Sequence, residues 1–225
     1  MLFVLMLFTI ALVTIVVAVS ARINIPRKAG FAGLDSPRVV RAYDFMNHMP
    51  PFKIMRLLVA RALFLTNPKG TLVDVGCGPG YLLAVIARRF PLLHLIGVDL
   101  SKEILSTANH NLAAIAGPRL ELKEGDSERL PIAGDSVDYV VTTLSLHHWP
   151  EPGKALREFY RVLKPGGMLL LFDLKRDAKL LFYFLIRLVT GVIAPRALRE
   201  VKEPLGSLRS SYTPGEVSEF MKGIG

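Results

Sequence analysis

Val73-Asp74-Val75-Gly76-Cys77-Gly78-Pro79-Gly80 decides how this chain is read. It is an apolar strand that ends in a glycine-rich turn, with a helix opening near Tyr81. Glycines let the backbone adopt positive φ at little cost and pass close to a ligand. The unpaired N–H groups of the following helix point at the same place. A second apolar run, Leu95-Ile96-Gly97-Val98, leads to Asp99, which lies 23 residues after Gly76. An acid at the tip of the next strand accepts hydrogen bonds from the two hydroxyls of a ribose. Together these parts form a nucleoside site.

The spacing separates the familiar occupants. The dinucleotide fingerprint G-x-G-x-x-G needs a small residue where this chain has Tyr81, and its third glycine comes one residue early, at Gly80. No Gly-Lys-Ser/Thr triplet follows, so the loop is not a phosphate-binding P-loop. Asp-x-Gly-x-Gly-x-Gly instead resembles motif I of the class I methyltransferases that use S-adenosylmethionine. Three further segments resemble the same family in its order. They are Gly125-Asp126-Ser127-Glu128-Arg129-Leu130-Pro131, Asp138 to Trp149, and Leu163-Lys164-Pro165-Gly166-Gly167. The motifs cover about residues 71–173, and the likeness is to the type 11 and ubiquinone/menaquinone-pathway members.

The resemblance implies an α/β fold, a Rossmann-like doubly wound, mostly parallel sheet. It implies S-adenosyl-L-methionine as cofactor, held by Asp74, Gly76, Cys77, Gly78 and Gly80 of the loop. Asp99 and Leu100 would serve the ribose, Asp126 and Ser127 the adenine, and Leu144 the end of strand four. Tyr43-Asp44, on a helix expected over Val39–His48, resembles the "YD" pair whose aromatic ring helps close over the cofactor in quinone-pathway enzymes.

The pattern of the core fits that expectation. Thr71–Val75, Leu93–Val98, Leu120–Lys123, Tyr139–Thr143 and Met168–Phe172 read as strands buried on both faces, as in a parallel sheet. Helices are expected over Lys53–Leu65, Tyr81–Arg89, Lys102–Ala116 and Pro152–Val162, with Ser101 capping the third. Tyr212-Thr213-Pro214-Gly215-Glu216-Val217 resembles the start of the family's last helix. The last two strands of the usual seven-stranded sheet are not found in the sequence, so an edge strand is expected to be open or covered by a second copy.

Composition narrows the function. One cysteine, Cys77, excludes a disulfide framework, and its place in the glycine loop reads as a small packed residue rather than a reactive thiol. The net charge of +9 is concentrated in two flanks. Residues 22–41 hold five bases against one acid, and residues 171–209 hold eight against four, so each contributes +4. The nearly neutral core between them argues against a nucleic-acid partner. Leu144-Ser145-Leu146-His147 also stands where amino-methylating DNA enzymes carry an Asn/Asp-Pro-Pro-aromatic motif.

Leu2–Val19 is an uncharged apolar run of 18 residues, about 27 Å as a helix, which reaches the lower limit for crossing a bilayer. No basic segment precedes it, so an uncleaved anchor is favoured over a signal peptide. The bases that follow place the catalytic domain in the cytoplasm by the positive-inside rule. Residues 1–21 then form an anchor, 22–37 a basic linker and 38–225 the methyltransferase domain. A second apolar stretch, Leu180–Ala194, contains Arg187 and Gly191 and is too short to span. Its aromatics and flanking bases suit a helix resting on a membrane surface.

A sulfonium methyl group is already activated, so the protein's main task is to hold a nucleophile in line with it. A base is needed only when the nucleophile arrives protonated. His147 and His148 follow strand four, and His148 is the expected base. The leading expectation is a membrane-anchored methyltransferase acting on a small lipophilic molecule, without a metal. The alternatives are a cofactor-binding module without catalysis and, more distantly, a dehydrogenase.

Overall fold

The computed structural model describes residues 20–22, 25–28, 36–115 and 117–224. The apolar run Leu2–Val19 lies outside the described residues. Among those described, no helix is long and apolar enough to cross a membrane.

Two helices lead into the core, α1 (Pro37–Asn47) and α2 (Pro50–Phe64). Both begin at prolines, which the first helical turn accepts because its N–H groups have no partner in any case. This moves both starts upstream of the expected Val39 and Lys53. The core then alternates β1 (Gly70–Val75), α3 (Tyr81–Arg89), β2 (Leu93–Asp99), α4 (Lys102–Leu112), β3 (Leu120–Glu124), β4 (Val137–Thr143), α5 (Pro152–Val162) and β5 (Leu163–Phe172). The five strands pair in the order β3-β2-β1-β4-β5, all parallel.

The chain winds outward from β1 to β3, returns to the other side of β1 and continues to β5. The order therefore reverses between β1 and β4. Ligands bind in such sheets at the carboxyl ends beside that reversal. Burial on both faces explains the near-continuous apolar strands. One face packs Leu72, Leu83, Ile86, Leu93 and Leu95 with Ala60 and Leu63 of α2. The other packs Val73, Val98 and Val140 against α5, whose Ala155, Leu156, Phe159 and Val162 recur at helical spacing and are fully buried or nearly so.

Two expectations needed adjustment. The helix expected to reach Ala116 ends at Leu112, although Ser101 does cap it, its Oγ accepting from the Ile104 N–H at 3.3 Å. β5 starts at Leu163, ahead of the expected Met168, but Lys164–Gly167 have no partner in the ladder to β4 and form the expected turn, with Gly166 at φ +79°. Val137 pairs with Leu163 but Tyr139 with Met168, so β5 carries an irregularity there. Lys164 Nζ reaches both oxygens of Asp138 at 2.9–3.0 Å, and Asp138 also accepts from the Thr71 N–H at 2.8 Å. That tie secures the start of β5 across β4 to β1.

After β5 the described chain is helical: α6 (Leu180–Leu188), a wide turn over Val189–Ile193, α7 (Arg196–Glu200), α8 (Leu205–Ser210) and α9 (Pro214–Met221). Among the described residues the sheet has five strands, and β3 and β5 are its edges. A separate small core joins this region to α1 through Val39, Ala42, Met46, Ala194, Ala197 and Leu198. Thr213 and Glu216 cap α9 reciprocally. The buried Arg176 ties this part together, donating to Ile25 O, Ser211 O and Glu216 Oε1 at 2.7–2.8 Å.

Candidate functional site

The Gly76–Gly80 loop occupies the carboxyl end of β1. The Val98 carbonyl accepts from both the Gly76 and Cys77 N–H groups, at 2.8 and 3.0 Å, which folds the loop onto β2. Gly76 has φ +70°, and a Cβ there would stand 2.3 Å from Ser145 Oγ. At the loop's other end Gly80, φ +81°, caps α3, and a Cβ would lie 2.8 Å from Leu112 Cδ1. Both positions therefore require glycine on conformation and on space.

Asp99 faces the loop from the end of β2. Its Oδ2 accepts from the Gly78 N–H at 2.9 Å and its Oδ1 from the Ser101 N–H at 3.1 Å, so the carboxylate is held in a fixed orientation. Asp74 lies inside β1, 1 % exposed, and neither of its oxygens has a hydrogen-bond partner among the described residues. Burial pushes its carboxyl up to about 8, and the charge of Asp99 adds to the shift. The Cys77 thiol is held well above its ordinary range by burial, with Asp74 and Asp99 adding. That leaves it protonated and a poor nucleophile.

Helix α1 covers the loop. The Tyr43 ring lies 3.8 Å from where a Cβ on Gly78 would be. Desolvation pushes its phenol up to about 12, Asn47 opposes this, and Asp99, Glu203 and Asp173 add to it. Polar contacts fasten α1 to α3 and α4. Tyr81 Oη donates to Asp44 Oδ1 at 3.1 Å and lies 3.1 Å from His48 Nε2. Asn111 Nδ2 donates to Asp44 Oδ1 and to Pro79 O at 3.1 and 3.0 Å. Tyr81, whose bulk ruled out a dinucleotide loop, thus serves as the anchor point for the cover.

Beneath Tyr81 lies Arg56 of α2, 6 % exposed. It donates to Asn47 Oδ1 and Asn47 O at 3.3 and 2.8 Å, and its guanidinium lies 5.2 Å from the Tyr81 ring centre. No carboxylate pairs with it among the described residues. Burial lowers its pKa. Tyr43, Arg56, Gly76, Cys77, Gly78 and Leu144 share the walls of one open cleft.

The remaining expected residues lie around this cleft and do not line it. Asp126 follows β3, next to β2, with its Oδ1 accepting from the Glu128 N–H at 2.9 Å. Ser127 beside it is buried, and Leu100 is 68 % exposed. The loop carrying them is clamped to α5. Glu158 Oε2 accepts from the Leu130 N–H at 3.0 Å, and Arg161 donates to Ile132 O at 3.0 Å. His148 is half-buried in a short turn over Leu146–His148, and its ring centre is 4.2 Å from that of His147. His147 is 2 % exposed, and its Nδ1 lies 2.6 Å from Asp173 Oδ1 at the end of β5. Its Nε2 has no partner among the described residues.

The sequence reading missed Arg56, Asn47 and Asp173. Asp173 carried a usable signal, an acid just past the carboxyl end of a parallel strand, where ligands bind. Arg56 interrupts the apolar run of α2, but helical spacing alone does not show that this face looks into a cleft.

Comparison with known proteins agrees with this geometry. Residues 73–171 match the family model described as a methyltransferase domain. A ubiquinone/menaquinone biosynthesis C-methyltransferase, UbiE, of Syntrophotalea carbinolica is 32% identical over 191 residues, covering 81% of this chain and 76% of that protein. An arsenite methyltransferase of Halobacterium salinarum is 33% identical over 119 residues, 52% of this chain and 30% of that protein. A phosphoethanolamine N-methyltransferase of Haemonchus contortus, solved with S-adenosyl-L-methionine, has the same fold with TM-score 0.62. It is 21% identical and covers 84% of this chain and 41% of that one.

Proposed function

Because the chain belongs to the methyltransferase type 11 family of class I enzymes, we propose that it methylates a small, lipophilic, quinol-like acceptor reached from a membrane. It is an S-adenosylmethionine-dependent methyltransferase, and S-adenosylmethionine is its cofactor. The observation that carries the acceptor class is the 32% identity to a quinone C-methyltransferase across three-quarters of that protein's length. Leu2–Val19 and the bases after it support a catalytic domain held on the cytoplasmic face.

The residues fit the cofactor. Asp99, held by the Gly78 and Ser101 N–H groups at the carboxyl end of β2, stands where ribose hydroxyls would be met. Asp126 stands where an adenine amino group would be met. Arg56, buried without a carboxylate, suits the carboxylate of the methionine end. Asp74, buried without a partner, suits a cationic group above it. When bound, S-adenosylmethionine supplies an electrophilic methyl carbon on a sulfonium. The chain's own residues then orient the acceptor, exclude water and receive a proton. Tyr43 on the α1 cover closes the site against solvent.

A phenolic acceptor gives up its hydroxyl proton as its ring carbon takes the methyl and the donor's C–S bond breaks. The hydrogen on that carbon then moves to the oxygen, so one proton leaves in all. We assign that proton to His148, with His147, fixed by Asp173, lying tilted against its ring. His148→Ala should lower turnover about a hundredfold on a phenolic acceptor while leaving cofactor affinity unchanged. An unchanged turnover would remove the base from the mechanism. The acceptor class is tested by incubating the full chain with methyl-labelled S-adenosylmethionine and a lipid extract. Label should appear in an organic-phase quinol. Label confined to water-soluble acceptors would overturn the reading.

A further inference from the structure

Helix α6 has nine residues, and none of them is buried. Only Arg187 is charged. Leu181, Phe184, Leu185, Leu188 and, past the wide turn, Val192 recur at helical spacing, and their exposures run from 44 to 68 %. The residues between them, Tyr183, Ile186 and Thr190, face the protein and are half-buried or buried. The sequence shows an apolar segment here; the structure shows that its apolar stripe is the outward one. A stripe of this length is uncommon on a surface that meets only water.

The fringe of the stripe is basic. Residues 175–199 carry six bases against the single acid Asp177. Arg176 is buried and paired with Glu216, and Arg196 pairs with Glu200, so the fringe is carried by Lys175, Lys179, Arg187 and Arg199. Asp177 is already paired with Arg22 at 3.2 Å. Lys175, Lys179 and Arg187 are exposed. Two copies docked through this face would bring two fringes of like charge together, which costs several kcal/mol in ordinary interfaces. A surface of opposite sign is favoured instead.

The position is equally specific. The Leu180 N–H donates to Ala21 O at 2.8 Å, and Arg22 bridges Lys179 in antiparallel sense. Ser20–Arg22 follow directly on the apolar run Leu2–Val19. Whatever holds that run therefore meets the chain at the first turn of α6.

We propose that α6 and the turn after it form a membrane-docking surface, lying in the headgroup region of an anionic bilayer with the stripe from Leu181 to Val192 turned into the lipid. The inference rests on the reading that the acceptor is lipophilic and extends it by naming the surface that meets the bilayer. Lysine and arginine stems at the fringe reach the headgroups while the apolar side chains enter the acyl boundary. Because α6 continues through Ala194, Ala197 and Leu198 into the core shared with α1, the docked helix and the cover over the cleft belong to one packed unit.

The test uses the full chain with a polarity-sensitive dye on Leu188→Cys or Val192→Cys. Lys69→Cys, at the amino end of β1 and so at the opposite end of the sheet, is the control. Cys77 is buried, so the unsubstituted chain gives the labelling background. Vesicles contain phosphatidylcholine with about a third phosphatidylglycerol, with a quencher attached to the lipid chains. Emission at 188 and 192 should fall by about half, and emission at 69 should not change. Vesicle-bound protein with no quenching at 188 and 192 would overturn the proposal and leave the anchor alone as the contact. Dye already shielded without vesicles would overturn it too, because residues 2–19 or a second copy would then cover the stripe. The quenching result is independent of turnover, so it stands or falls separately from the acceptor class.

Discussion

Asp99→Ala is expected to weaken S-adenosylmethionine binding about a hundredfold. The carboxylate stands at the carboxyl end of β2, oriented by the Gly78 and Ser101 N–H groups at 2.9 and 3.1 Å. Hydrogen bonds to a charged acceptor contribute ~1.5–3 kcal/mol each. Losing those to two hydroxyls, partly offset by water, comes to about 3 kcal/mol, or two powers of ten in Kd. The Gly78 N–H also loses its acceptor, which loosens the loop that the cofactor must contact. Asp99→Asn keeps the shape and one acceptor and should lose about tenfold. Calorimetric titration with S-adenosylmethionine measures both. An alanine variant within about threefold of the unsubstituted chain would remove Asp99 from the site.

Asp74→Asn is expected to flatten the pH dependence of stability. The Asp74 carboxyl is raised from 3.8 to about 8 in the folded chain, chiefly by burial. Between about pH 4 and 8 the folded state therefore binds a proton that the unfolded state has released. Unfolding free energy falls as pH rises through that window, reaching its lower level above the folded pKa. The full span, about four units at ~1.4 kcal/mol each, sets a ceiling on the order of 5 kcal/mol. Asparagine carries no charge at any of these values. At pH ~8 the variant should be more stable than the unsubstituted chain by about 3 kcal/mol, and near pH ~4 the two should be close. Urea unfolding of the cofactor-free protein at both values checks this. Parallel pH slopes would mean that Asp74 is ionised and partnered.

Much of the core was legible in the sequence for a simple physical reason. A parallel sheet covered on both faces must be built from short apolar runs, and a loop that takes positive φ must carry glycine. Those two constraints fixed β1 to β4 within one or two residues and located the Gly76–Gly80 turn. Ser101 was readable as a cap because capping is local. The side chains that complete the cleft were less accessible. Arg56, Tyr81 and Asn47 meet only because α1 and α2 fold back across the loop, and no local pattern encodes that meeting. The histidine pair shows the same limit. In a short helical turn neither period two nor period 3.6 says which of two adjacent rings points inward. It is His147 that the carboxylate of Asp173 holds. Leu163–Gly167 reads as a turn because proline and glycine punctuate it, and the ladder to β4 bears this out by jumping from Leu163 to Met168.

Cys77 turns this architecture into its own chemical clock. The only thiol of the chain sits in the wall of the cleft, and burial with two neighbouring carboxyls keeps it protonated. A thiol-modifying reagent therefore reacts only during the intervals when the cover of α1 has lifted and the loop is wet. The rate of alkylation counts openings and requires no substrate, no label and no knowledge of the acceptor. Any small molecule that occupies the cleft slows that clock. Collections of candidate acceptors and inhibitors can then be ranked by mass spectrometry of a single cysteine.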